Sequence, residues 1–82
     1  MVFFVISRKG FEDYLTIKEN LTVPLWISAG VISQSELESL RQGGIDVTDF
    51  NYAIGLNENE VIDDAIETIK EHHPGEVIWV QR

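Results

Sequence analysis

Val2-Phe3-Phe4-Val5-Ile6-Ser7 decides the fold. Five consecutive apolar residues, all good β formers, leave no polar face to turn toward water. Such a run suits a strand covered on both faces, as in the middle of a parallel sheet. The segments that follow supply the covers. Ser7-Arg8-Lys9-Gly10 breaks the apolar pattern. Phe11, Tyr14 and Leu15 then recur at helical spacing, although Phe11, Leu15 and Ile17 also fit an alternating strand, with a hairpin turning at Lys9-Gly10. Pro24-Leu25-Trp26-Ile27-Ser28 reads as a second strand, with the proline at its start, where a missing N–H does least harm.

Ser33 and Glu36 stand at N-cap and N3 and make a capping box, with Ile32 and Leu37 placed for a hydrophobic staple. Leu37 and Leu40 face inward, and Gly43-Gly44 supplies a residue able to take positive φ and end the helix. Ile45 to Phe50 alternates, as a strand with one wet face near a sheet edge does. Ile62, Ala65, Ile66 and Ile69 form a core stripe on a third helix capped by Asn57 or Asn59, with Pro74-Gly75 closing it. Val77 to Val80 is a final apolar strand.

Strands are expected at about 2–7, 24–28, 45–50 and 76–81, and helices at about 10–19, 33–42 and 58–73. Strands alternating with helices through short links imply an α/β domain spanning residues 1–82. Its core is a small, mostly parallel four-stranded sheet with right-handed crossovers. A 3-2-1-4 strand order puts the wet third strand at an edge and the apolar first strand inside. The competing arrangement is an α+β domain with an antiparallel N-terminal hairpin.

Composition narrows the function classes. Of the chain's 82 residues, 14 are acidic and 6 basic, a net charge of −8. The first twenty residues are balanced, so the whole excess lies beyond them. Nucleic-acid binders draw affinity from basic patches, and anionic membrane surfaces attract basic ones. Neither partner is expected here. The chain has no cysteine, which removes disulfides, thiolate catalysis and Cys-ligated metal sites. No stretch reads as a signal peptide or membrane span, so a cytoplasmic protein is expected. Asn20-Leu21-Thr22 matches a glycosylation acceptor, which has no meaning without secretion.

Chemistry-bearing groups gather at one place in this topology, the carboxyl ends of the strands, where open parallel sheets bind ligands. Ser7, Arg8, Lys9, Ser28, Gly30, Asp49 and Asn51 are the candidate ligand-binding residues there, with Ser7-Arg8-Lys9-Gly10 leading into a helix N-terminus suited to a small anion. No glycine-rich nucleotide loop occurs, and Ser28 lacks nucleophile-elbow spacing. His72 and His73 are adjacent on a helix and point about 100° apart, so they do not share a metal, and they complement the helix dipole instead. Asp46, Asp49, Asp63 and Asp64 do not converge as cation ligands. No metal or cofactor is expected.

The final strand lacks alternation, so at a sheet edge it would leave an apolar face and its own backbone uncovered. Val77 and Trp79 are the candidate interface residues. The leading expectation is therefore a non-enzymatic interaction or regulatory module, or a subunit of an assembly, that pairs with itself as a dimer or with a protein partner. The alternative is a small-molecule or anion-binding protein, or an enzyme, with its site at the carboxyl rim.

Overall fold

A computed structural model describes residues 1–17 and 23–82. The elements run β1 (Val2–Val5), α1 (Arg8–Ile17), β2 (Leu25–Ile27), α2 (Gln34–Gln42), β3 (Val47–Asp49), α3 (Asn59–His72) and β4 (Ile78–Gln81). The sheet is four-stranded in the order β3-β2-β1-β4, and every pairing is parallel. The N-terminal hairpin is thereby excluded. The segment that could have been its second strand is α1, and β1 pairs instead with β2 (Phe4 beside Trp26) and with β4 (Phe4 beside Val80).

Right-handed crossovers explain where the helices lie. The steps from β1 to β2 to β3 go in one direction and place α1 and α2 on one face. The step from β3 to β4 returns across the sheet and places α3 on the other. The apolar residues divide accordingly. Phe3, Val5, Leu25, Ile27 and Val47 pack with Phe11 and Tyr14 of α1 and Leu37 and Leu40 of α2. Val2, Phe4, Ile6 and Trp26 pack with Ile62, Ala65 and Ile69 of α3. Both side-chain sets of β1 are buried, as its unbroken apolar run requires.

Local signals set the helix ends. The capping box is formed: Glu36 N–H donates to Ser33 Oγ at 3.2 Å and Ser33 N–H to Glu36 Oε1 at 2.9 Å. Gly44 ends α2 at φ 88°, where a side chain would be strained. All four strands are shorter than expected, at Val2–Val5, Leu25–Ile27, Val47–Asp49 and Ile78–Gln81, and the starts of two helices differ from expectation. Helix α1 begins at Arg8, earlier than residue 10, because Ser7 Oγ accepts from Gly10 N–H at 3.0 Å and caps it there. Neither Asn57 nor Asn59 caps α3. Glu58 holds that position without a side-chain cap bond, because its carboxylate reaches back to Gly55 N–H at 2.9 Å. The expected end of the first helix at residue 19 and the Asn20-Leu21-Thr22 acceptor lie outside the described residues.

Candidate functional site

The carboxyl rim is built from the ends of β1, β2 and β3 and the loops that leave them. Of its seven candidate residues, Ser7, Arg8, Lys9, Ser28 and Asp49 are engaged with protein neighbours. Ser7 caps α1, and Phe11 N–H donates to its carbonyl at 2.9 Å. Two N–H groups of that first turn, those of Gly10 and Phe11, thus already have partners. Arg8 Nη1 lies 2.8 Å from Glu36 Oε1 and sits over the Phe11 ring. Its guanidinium hydrogen bond, with help from Ser33 N–H, lowers the Glu36 carboxyl to about 2, and Glu36 in turn raises Arg8. Lys9 Nζ lies 3.5 Å from Asp13 Oδ1, one helical turn on.

Ser28 is buried, and its hydroxyl accepts from Ile54 N–H at 2.8 Å. Ala29 N–H donates to the Tyr52 carbonyl at 3.2 Å. The 50–58 loop is thereby tied down over the end of β2, with Phe50 and Ile54 part of the core beneath α3. Gly30 makes a turn at φ 80°. Asp49 lies 3.6 Å from Arg41 Nη2, and Asn51 is exposed. Ser7, Ser28, Gly30, Asp49 and Asn51 stand at or just beyond the neighbouring ends of β1, β2 and β3. Arg8 and Lys9 turn away into ion pairs with α2 and with α1 itself.

In a sheet of this order the crevice between the carboxyl ends of β1 and β4 is the topological switch point. Here the chain's own backbone passes through it. A Cβ added to Gly10 would stand 2.6 Å from the Gln81 carbonyl oxygen and 3.2 Å from the Arg82 carbonyl carbon, so only glycine lets the end of β4 cross the first turn of α1 this closely. Among the described residues, depressions lie elsewhere. One, about 410 Å3, surrounds Asn57 to Val61 at the start of α3, where Glu58 and Glu60 repel an anion. Another, about 270 Å3, is a groove between α1 and α2 lined by Phe11, Leu15, Glu36 and Leu40. Among the described residues no three His, Cys, Asp or Glu side chains converge as metal ligands, and no helix is long and apolar enough to cross a membrane.

The outer edge of β4 has a different character. Val2 N–H donates to the Val77 carbonyl and Ile6 N–H to the Gln81 carbonyl. Backbone groups of alternate strand residues point to opposite sides, so Val77, Trp79 and Gln81 bond to β1. The N–H and C=O groups of Ile78 and Val80 point outward, where no strand pairs with them among the described residues. Trp79 is 51% exposed and Val77 69%.

The Trp79 ring does not hang loose. It packs 6.0 Å from Phe3, and its Nε1 donates to Gln81 Oε1 at 2.8 Å. Gln81 Nε2 donates in turn to Asp13 Oδ2 at 3.2 Å, and Asp13 pairs with Lys9. This chain from α1 to the edge tryptophan was missed in the sequence. Its one legible trace is the i, i+2 spacing of Trp79 and Gln81, which puts both on one face of a strand. A second unforeseen feature is Trp26, whose buried Nε1 has no hydrogen-bond partner among the described residues and whose ring packs 5.2 Å from His72 and 6.0 Å from His73. His72 Nδ1 hydrogen-bonds the Thr68 carbonyl one turn back at 2.9 Å.

Comparison with known proteins returns no relative: no family model, no curated protein and no solved structure matches the chain.

Proposed function

We propose that this protein is a non-enzymatic interaction module, residing in the cytoplasm, whose working surface is the outer edge of β4. One observation carries the reading: a half-exposed tryptophan, held in place by hydrogen bonds, stands on a strand whose outward backbone groups await a partner. Adding a strand to an open edge is a recurrent mode of protein recognition, in which main-chain bonds supply affinity and side-chain contacts supply specificity. Aromatic anchors held in one rotamer lose little freedom on binding and are common hot spots. The alternative, a ligand site at the carboxyl rim, draws less support, because Arg8, Lys9, Ser28 and Asp49 are each held by a neighbour outside the candidate set.

The test is affinity capture from native cell extract with three baits. Val80→Pro removes one outward N–H while keeping the β1–β4 ladder, because that N–H points away from β1. Asn51→Lys, at an exposed position beside the end of β3, alters the rim. Bound protein is expected to be lost with Val80→Pro and kept with the rim variant, circular dichroism confirming that both baits are folded. Loss with the rim variant and retention by Val80→Pro would overturn the reading in favour of a rim site.

A further inference from the structure

The geometry points to a second copy of this chain as the partner of the β4 edge, in one antiparallel register with Trp79 on the two-fold axis. The inference rests on the reading that this edge is the working surface. It adds the identity of the partner and the residue pairs that meet.

A two-fold axis perpendicular to a sheet pairs identical edge strands antiparallel and extends four strands into eight. The pleat then limits the registers. Side chains opposite one another must lie on the same face, so Trp79 can face an odd-numbered residue of the second copy and never Ile78 or Val80. Among the allowed registers, one uses only residues of the strand itself. It sets Ile78 opposite Val80 of the second copy and Val80 opposite Ile78. Both are hydrogen-bonded pairs, each exchanging two N–H to O=C bonds, so every outward backbone group of Ile78 and Val80 finds a partner. A shift of two residues either way would pair one of them with Glu76 or Arg82, which lie outside β4.

In this register Trp79 meets Trp79 as the non-hydrogen-bonded pair on the axis. That is the closer kind of pair, with Cα atoms about 4.5 Å apart. The two rings lie on the face that carries Phe3 and Tyr14. Val77, the most exposed of the large apolar side chains, comes opposite Gln81 of the second copy on that same face. Charge agrees with the arrangement. Glu76, which also pairs with the Met1 ammonium of its own chain, stands opposite Arg82 of the second copy at each end, so opposite signs meet although each chain carries −8 overall. That net repulsion is screened over about 8 Å at physiological salt, whereas apolar burial is not, so association tightens as salt is added.

Because the chain has no cysteine, single-cysteine variants report the register directly. Residues in non-hydrogen-bonded pairs have Cβ atoms about 4.5–5.5 Å apart, within a small adjustment of disulfide geometry. Val77→Cys and Gln81→Cys are made separately, shown by circular dichroism to be folded, and oxidised alone and as an equimolar mixture. The expected result is a cross-linked heterodimer in the mixture and little homodimer from either variant, since in this register like positions lie about 13 Å apart. Equal cross-linking in all three samples, or no heterodimer from a protein that sediments as a dimer, overturns the register. Sedimentation of the wild-type chain as a strict monomer at hundreds of micromolar overturns the second copy as partner. The edge reading then stands or falls separately on whether Val80→Pro abolishes capture.

Discussion

The two edges of this sheet are treated differently. Strand β3 has three residues and ends on Asp49. Leu25 N–H donates to the Asp46 carbonyl and Phe50 N–H to the Ile27 carbonyl, so the groups of Val47 and Asp49 are the ones facing outward. Arg41 from the end of α2 lies across that edge, its Nη2 donating to the outward Val47 carbonyl at 3.1 Å and lying 3.6 Å from the Asp49 carboxylate. A short, charged edge capped by a side chain is a standard defence against unwanted strand pairing. Strand β4 has no such guard among the described residues. Its side chains are Ile78, Trp79, Val80 and Gln81, and the polar one of these is turned to fix the tryptophan. A fold that blocks one edge and leaves the other apolar and open has one edge available for association.

The largest way to break that contrast is Trp79→Glu. It should weaken association about thirtyfold or more, as loss of an interface hot spot does. Stability of the monomer should fall by no more than about 1 kcal/mol, since half the side chain is already in water. Light scattering and urea melts separate the two effects. Unfolding instead would make Trp79 a core residue. Next in size is Gly10→Ala, which drives a methyl group against the Gln81 carbonyl and displaces the end of β4. A loss of about 1–3 kcal/mol in urea unfolding is expected.

Arg41→Ala sharpens the comparison from the other side. The pair it removes is half exposed, so stability should change by less than about 1 kcal/mol. The uncovered β3 edge should then show new, weak self-association in sedimentation at high concentration. Smallest is the effect of pH on the junction between α1 and α2. Glu36 has its pKa depressed in the folded chain, so the stabilisation it provides is present above its unfolded value near 4.5 and lost as pH falls toward 2. Glu36→Gln, which keeps the capping geometry, should flatten that part of a stability-against-pH curve measured by thermal melts.

Much of this architecture was legible because local and global signals agree. The apolar run at Val2 to Ile6 pointed to an inner strand and the alternation from Ile45 to an edge, and the observed order is one that satisfies both. Ser33, Glu36 and Gly44 marked α2 through bonds between near neighbours. The helix starts that moved depend on short side-chain reaches, Ser7 to Gly10 and Glu58 to Gly55, that compete with equally plausible caps nearby. Topology brings Ser7, Ser28, Asp49 and Asn51 to neighbouring strand ends, but it did not show that Arg8 would be drawn off to α2 or that Ser28 would bond to the 50–58 loop. Arg8 meets Glu36 across 28 positions of sequence and Ser28 meets Ile54 across 26, contacts that periodicity does not encode. For the same reason the link from Asp13 to Gln81 to Trp79 appears only once α1 is laid beside β4.

The most direct test of the open-edge account is amide hydrogen exchange at single-residue resolution, followed by NMR at low micromolar and at several hundred micromolar protein. The N–H groups of Ile78 and Val80 should exchange rapidly in the dilute sample and become protected in the concentrated one. Those of Val47 and Asp49, on the guarded edge, should exchange at the same rate in both. Exchange at Ile78 and Val80 that ignores concentration, or protection that grows at β3 instead, would contradict the account.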